Sequence, residues 1–266
     1  MDSVHYPPAT NELDLSSVLI VTALSGNHFK EMLKFCDSFV NNTELASHPN
    51  LRLVIYNLGG LHEDQIRSIN KTCDGAEFRD FQFDRYPSYM KNLFQYGWKP
   101  MILNETLAES DVVIWSDAST ELRNSNETFE NFIQEIARSN ITMRLIGSAS
   151  HSIFRATHET MYSYLPIPLE KAKALTMYED GKQVWVKTPT IVEAVLNPWV
   201  NCAMQKNCMA PPGSERHCNL KRYPEPLYAF CHRYDQSAIN ILLANAANFD
   251  GKLYQSDSPL MRTKRM

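Results

Sequence analysis

The sequence lacks the features that define several broad classes of protein. It has no run of about 18 apolar residues, so it predicts no membrane span. Its formal net charge of −4 gives no electrostatic footprint for a nucleic-acid backbone, and no nucleic-acid partner is expected. No basic stretch followed by an apolar one opens the chain, so no signal peptide is recognisable. A globular protein is the remaining expectation.

Glycine is also scarce, with 9 residues in 266. The turn after the first predicted strand, TALSGNH, holds only Gly26. Sites for dinucleotides or S-adenosylmethionine on alternating folds normally use a glycine-rich turn here, because the backbone must approach the ligand closely. A methyltransferase is therefore the last-ranked function.

Cysteines are present in an even number, and four of the six lie in one short window. They are Cys36, Cys73, Cys202, Cys208, Cys218 and Cys231. This pattern predicts two or three disulfides and an oxidising compartment. A zinc site is the alternative, although the spacing has no paired C-x-x-C knuckles.

Acceptor triplets for N-glycosylation occur more often than the about two expected by chance. They begin at Asn41, Asn70, Asn104, Asn126 and Asn140. With the cysteines, they predict a protein of the Golgi or endoplasmic reticulum lumen, or a secreted one. The targeting segment is then expected outside this sequence.

Apolar runs alternate with helical periodicities along the first half of the chain. The predicted strands are residues 18–22, 51–56, 78–83, 112–115 and 144–148. This alternation predicts an α/β fold with a mostly parallel sheet and helices on both faces. Residues 166–226 carry most of the prolines and predict an irregular, disulfide-tied lobe, after which residues 234–248 predict a helix.

Ligands of such sheets bind beyond the carboxyl ends of the strands. This rule gives residues 22–26, 57–60 and 116–120 one shared location and makes Thr22 and Ala23 candidates for cofactor binding. Asp117 and Ser119 follow the buried strand in IWSDAS and have oxygens suited to Mg²⁺ or Mn²⁺ that holds a diphosphate. The alternative is an aspartate that caps its own turn.

Asp235 and Gln236 begin the last helix, whose buried face is already filled by aliphatic residues. We therefore expect both side chains to point outward into a cleft. Capping of the helix N-terminus by Asp235 is the alternative, and the two roles are compatible.

Lys99 in YGWKP, Asp117 in IWSDAS, and Asp235, Gln236 and Asn240 in DQSAIN together resemble the glycosyltransferase-A fold. The pattern is most similar to retaining transferases of the glycogenin and lipopolysaccharide galactosyltransferase type. The segments YGWKPMIL, IWSDAST, HSIFRATHETMYSYLP and CHRYDQSAINILL also resemble a nematode-expanded family of secretory-pathway proteins of unknown function.

The resemblance implies a nucleotide-sugar donor and a glycan or protein acceptor. Lys99 would stabilise the departing diphosphate, Asp235 and Gln236 would act near the transferred sugar, and Asn240 would help to hold the donor. It further implies a domain over residues 17–256, with a nucleotide-binding half (17–156) and an acceptor half (157–256). Residues 1–16 would be a flexible segment and residues 257–266 a basic tail.

One position departs from the transferase pattern, because Ser119 replaces the second acid of the usual Asp-x-Asp. A hydroxyl binds Mg²⁺ or Mn²⁺ far less strongly than a carboxylate. Either a histidine completes the site, with His232 beside His151 and His158 as candidates, or the site is poor in metal. A catalytically inactive carbohydrate-binding or scaffold protein on the same fold is therefore the alternative function.

Overall fold

The computed structural model describes residues 18–48 and 51–264, so the predicted N-terminal segment lies outside the described residues. The strands are β1 (Val18–Leu24), β2 (Arg52–Asn57), β3 (Glu77–Asp80), β4 (Val112–Ser116), β5 (Thr120–Leu122), β6 (Met143–Ile146), β7 (Ser148–Ser152), β8 (Thr176–Tyr178), β9 (Lys182–Val186), β10 (Gln255–Ser256) and β11 (Met261–Thr263).

The helices are α1 (Phe29–Val40), α2 (Thr43–Ala46), α3 (Glu63–Thr72), α4 (Trp98–Glu109), α5 (Phe129–Ala137), α6 (Leu169–Ala174), α7 (Pro189–Ile191), α8 (Asn197–Ala203), α9 (Lys206–Met209) and α10 (Tyr234–Ala246). A π-helical turn, Val192–Leu196, joins α7 to α8. Within the described ranges, no helix is long and apolar enough to cross a membrane.

The central sheet is mostly parallel, as the alternation predicts. Its strand order is β10-β6-β9-β4-β1-β2-β3. β1 pairs in parallel with β2 and β4, and β2 pairs in parallel with β3. Strand β9, which is antiparallel to both β4 and β6, is the exception. The carboxyl ends of β1, β2 and β4 therefore meet at one edge.

Both faces of this sheet are covered, because successive side chains of a strand point to opposite sides. Leu19 and Val21 of β1 belong to a core cluster that includes α4, α8 and α10. Val18 and Ile20 belong to a second cluster that includes α1, α3 and α5. The buried strands are consequently continuous apolar runs, which is typical of parallel sheets.

The irregular lobe is narrower than the sequence predicts. Residues 182–186, within the predicted lobe, form β9 in the middle of the central sheet. Residues 210–233 form a continuous stretch with neither helix nor strand, and we call this segment the lobe. The lobe is rich in proline and polar residues, and here this composition correctly predicted irregular structure.

All six cysteines form disulfides, which excludes the zinc alternative. The pairs are Cys36–Cys73, Cys202–Cys208 and Cys218–Cys231. The first ties α1 to the end of α3, and the third lies within the lobe.

The predicted basic tail contains a strand. β11 pairs antiparallel with β5, and the Lys264 backbone N–H donates to the carbonyl of Ser119 at 2.8 Å. The end of the described chain is therefore packed beside the segment that carries Asp117.

Candidate functional site

A cavity of about 1270 Å³ lies beyond the carboxyl ends of β1, β2 and β4. Residues 23–28, 58–60 and 117–119, which end or follow these three strands, all line it. The opposite wall comes from residues 91–94 and from the lobe. The rule for ligand sites of parallel sheets thus places these segments correctly.

The first two strand ends touch through glycines. The Gly26 N–H donates to the Gly59 carbonyl at 3.1 Å, and a Cβ at Gly26 would lie 1.9 Å from the Gly60 carbonyl oxygen. Gly60 has a φ of 76°, a conformation that other residues rarely adopt. A few glycines are therefore enough to let the backbones that follow β1 and β2 approach each other closely at the cavity wall.

Asp117 is an acidic side chain that lines the cavity. Its side chain is 39% exposed, and its Oδ1 accepts a hydrogen bond from Trp115 Nε1 at 2.9 Å. Its backbone N–H donates to the Gly181 carbonyl at 2.8 Å. The bonds of Oδ1 go to groups outside the turn, so turn capping does not account for this carboxylate.

Lys99 lies behind Asp117, buried at the start of α4. Its Nζ is 2.8 Å from Asp180 Oδ2, 3.0 Å from Asp235 Oδ2 and 3.4 Å from Asp117 Oδ1. We call these four residues the lysine cluster. Burial alone would lower the pKa of Lys99, but the three carboxylates outweigh it and raise the pKa well above its usual value. Lys99 is therefore a permanent cation.

The pKa values of the two buried acids of the lysine cluster are shifted in opposite directions. Burial and the neighbouring charge of Asp180 raise the pKa of Asp235 well above its usual value. Burial acts in the same direction on Asp180, but the Lys99 ammonium and the hydrogen bond with Asp235 lower the pKa of Asp180 overall. Of the two acids, Asp235 is thus the one that keeps its proton to the higher pH.

The structure brings three predicted site residues to the cavity and two directly behind it. Ala23, Asp117 and Ser119 line the cavity, whereas Lys99 and Asp235 contact Asp117 or its neighbours from the protein interior. Asp235 does not point outward into the cleft, because its side chain is only 4% exposed. It does not cap α10 either, since Arg233 occupies the N-cap position without a side-chain cap.

Four other predicted residues do not line the cavity. Thr22 is fully buried within β1, and Gln236 is half-buried in the first turn of α10. Asn240 holds α10 against β8, accepting from the Tyr178 N–H and donating to the Tyr178 carbonyl, both at 2.9 Å.

His232, the fourth, is buried away from the cavity. Its Nδ1 accepts from the His158 backbone N–H, and its Nε2 donates to the Met209 carbonyl, both at 3.2 Å. Burial lowers the pKa of His232 to about 3.

The side chains present do not fit a divalent cation. Asp117 Oδ1 already faces an ammonium and an indole N–H, and Ser119 adds only a neutral hydroxyl. Both ring nitrogens of His232 are bonded to backbone. Across residues 18–48 and 51–264, no group of three His, Cys, Asp or Glu side chains is placed to hold a metal ion. Mg²⁺ and Mn²⁺ prefer several oxygen ligands, with carboxylates among them.

Asp180, Arg216 and Arg233 are among the charged residues of the site that the sequence-based prediction does not include. Asp180 lies in a turn, EDGK, where an aspartate before glycine is an ordinary turn former. Arg216 and Arg233 line the cavity from the lobe and its junction with α10. Their only sequence signal is their place beside the disulfide, as Arg216-x-Cys218 and Cys231-x-Arg233.

Comparison with known proteins gives one partial family match and a set of similar structures. Residues 8–104 match the family model described as "Protein of unknown function (DUF1647)". No curated protein sequence matches the chain. The solved structures that the chain is similar to are glycosyltransferases.

Three of these structures illustrate the range. The galactosyltransferase LgtC, in complex with donor and acceptor sugar analogs, is 15% identical, with 84% of this chain and 70% of that chain covered and a TM-score of 0.43. Core-mannan synthase A from Aspergillus fumigatus, in its Mn/GDP form, is 8% identical, with coverages of 74% and 67% and a TM-score of 0.45. The mannosyltransferase Ktr4p from S. cerevisiae, with GDP, is 9% identical, with coverages of 76% and 65% and a TM-score of 0.47.

Proposed function

We propose that the cavity binds a nucleotide-sugar donor and that the protein transfers the sugar to a glycan or protein acceptor. The observation that carries the proposal is the convergence of three strand ends on one large cavity, which is lined by the partly exposed carboxylate of Asp117. The volume of about 1270 Å³ is ample for a nucleoside diphosphate and a hexose.

In the proposed reaction the bond between the sugar C1 and the diphosphate oxygen breaks, and its electron pair leaves with the diphosphate. An acceptor hydroxyl oxygen forms the new bond to C1 and gives its proton to the departing diphosphate. Asp117 accepts hydrogen bonds from sugar hydroxyls, while Lys99 behind it balances its charge. Lys99, Asp180 and Asp235 thus position Asp117.

Gln236, half-buried in the first turn of α10, does not line the cavity, so it is given no part in the proposed reaction. Asp235, whose side chain is buried and whose pKa is raised, supports the site through Lys99 and is not proposed as a nucleophile.

Isothermal titration with uridine and guanosine diphosphate sugars tests the proposal. Asp117→Asn should weaken donor binding by about tenfold, the value of a hydrogen bond to a charged group. Asp111→Asn is the matched control, because Asp111 is exposed and pairs with Lys187 at 3.2 Å. Failure of every donor to bind would refute the proposal.

The second candidate function is that of a catalytically inactive binding protein, and the burial of Asp235 favours it. In that case the fold binds a carbohydrate or a protein, and nucleotide sugars are not hydrolysed. Slow donor hydrolysis that is lost in Asp117→Asn and retained in Asp111→Asn would refute it.

We further propose a lumenal or secreted location. Three disulfides suit an oxidising compartment, and the five acceptor asparagines of the glycosylation triplets are all exposed. Expression through a secretory pathway should yield a protein whose mass falls on enzymatic deglycosylation. An unchanged mass, together with reduced cysteines in the native host, would contradict this location.

A further inference from the structure

The lysine cluster has little capacity left to bind a metal. Asp117 Oδ1 is shared between Lys99 Nζ and Trp115 Nε1. Asp117 Oδ2 faces Gly181 so closely that a Cβ there would approach it to 2.6 Å. A cation at this carboxylate would have to displace or face the Lys99 ammonium, which costs electrostatic energy.

A diphosphate nevertheless needs positive charge from some source. Two of the lining basic residues are already paired, Lys91 with Asp84 at 2.9 Å and His28 with Glu31. Arg216 and Arg233 differ, because no carboxylate of the described residues lies within ion-pair distance of either guanidinium. Arg216 stacks over the Phe94 ring at 4.4 Å from the ring centroid. We call Arg216 and Arg233 the arginine pair.

Arg233 has a second feature that suits an anion-binding site. Its Nε is buried and has no hydrogen-bond partner among the described residues. An unsatisfied donor of this kind is costly, and an oxygen of a bound anion would satisfy it. The planar, five-donor guanidinium also matches phosphate geometry better than an ammonium does.

A disulfide joins the two segments that carry the arginine pair. Cys218 and Cys231 form a disulfide with a Cα–Cα distance of 5.0 Å, and the arginines stand two residues outside these cysteines on either side. The disulfide therefore limits the separation of the two guanidinium groups before any ligand arrives, and such preorganisation lowers the entropic cost of binding.

We propose that Arg216 and Arg233 hold the donor diphosphate in place of a divalent cation. This inference rests on the proposed function, since it names how the same cavity holds its donor. The nucleoside diphosphate then binds from the lobe side, and Asp117 faces the sugar.

The test is calorimetric titration of the whole protein with inorganic pyrophosphate, uridine diphosphate and guanosine diphosphate, first with a chelator and then with Mn²⁺. Binding should occur with the chelator and change less than about threefold when Mn²⁺ is added. Arg216→Gln and Arg233→Gln should each weaken it by about tenfold to a hundredfold, the range for hydrogen bonds to charged groups. Arg222→Gln, at an exposed arginine outside the cavity lining, should leave it unchanged.

Arg216→Lys separates charge from geometry and keeps the test valid if Arg233→Gln fails to fold. The lysine variant should recover only part of the affinity for diphosphate, because an ammonium lacks the planar, forked arrangement of donors of a guanidinium group. Titration with Mn²⁺ alone should give the same heat for the wild type and for Asp117→Asn.

Three results would overturn the inference. Diphosphate binding that requires Mn²⁺ would leave the proposed function intact and remove the arginine role. Equal affinity of the Arg216→Gln and Arg222→Gln variants would do the same. Failure of all diphosphates and donor sugars to bind would remove the proposed function as well.

Discussion

The lysine cluster and the arginine pair are two groups of charges at one cavity, and they are built in opposite ways. Lys99 is buried and contacts three carboxylates, whereas Arg216 and Arg233 are half-buried and, within the described residues, face no carboxylate. A buried charge without a partner costs several kcal/mol, so the lysine cluster must be neutralised internally. Charges in contact with solvent can remain unpaired until an anion binds. If the arginine pair binds the diphosphate as proposed, exposure to solvent distinguishes the supporting lysine from the ligand-binding arginines more than residue type does.

The largest expected effect comes from removing the central cation. Lys99→Met leaves buried carboxylates unpaired and should lower the free energy of unfolding by about 3–5 kcal/mol at neutral pH. Lys91→Met, at an exposed residue paired with Asp84, should cost at most about 1 kcal/mol. Urea unfolding measures both, and similar losses for the two variants would contradict the role of Lys99.

Removal of the Cys36–Cys73 or the Cys218–Cys231 disulfide should lower stability in both cases but affect anion binding in only one. By loop-closure entropy, Cys36→Ala/Cys73→Ala, with a sequence separation of 37, should cost about 4 kcal/mol. Cys218→Ala/Cys231→Ala, with a separation of 13, should cost about 3 kcal/mol. Only the second change should weaken pyrophosphate binding, because only that bond holds the arginine pair. Equal weakening in calorimetry would refute this distinction.

The two buried acids should respond differently to replacement by asparagine. Asp235→Asn keeps a donor where the protonated acid has one and should change stability at pH 4 by less than about 1 kcal/mol. Asp180→Asn removes the ionised partner of Lys99 and should be more destabilising.

The contributions of Asp235 and Asp180 to stability should change with pH in opposite directions. Because the folded pKa of Asp235 is raised, the folded state binds more protons than the unfolded state above about pH 4, and stability falls as pH rises. Asp235→Asn removes this loss, by up to about 1.4 kcal/mol per pH unit. Asp180, with a lowered pKa, contributes stability above about pH 4 that is lost as pH falls through its folded pKa. Parallel stability curves for wild type and Asp235→Asn would place the proton elsewhere.

The smallest effect is expected from Gly181→Ala, a substitution that tests how firmly Asp117 is placed at the cavity. Gly181→Ala places a Cβ 2.6 Å from Asp117 Oδ2, so the carboxylate must move, at a cost of about 1 kcal/mol. Donor sugars should bind more weakly, whereas pyrophosphate should not. Gly97→Ala, whose Cβ would meet Met90 at an ordinary 3.5 Å, is the control. Unchanged donor affinity in Gly181→Ala would show that Asp117 is not tightly placed.

The fold is predicted well wherever its signals are local. The first two strands and the last helix were located within about two residues, because apolar runs and helical periodicity are properties of neighbouring positions. β9 was missed, since KQVWV is short and lies among prolines and cysteines that suggest a loop. The site is predicted less well: Asp117 was found at a strand end, whereas Asp180 looks like any turn residue.

By itself, the sequence determined the alternating α/β architecture, the even set of cysteines and the position of Asp117 beyond a buried strand. Only the tertiary structure decided which cysteines pair, that Lys99 is enclosed by three acids, and that Arg216 and Arg233 face the same cavity. The reason is that periodicity acts over a few residues, while the bond from Lys99 to Asp180 joins positions 81 residues apart. That bond requires β9 to enter the sheet beside β4, and strand order is not encoded in any one segment.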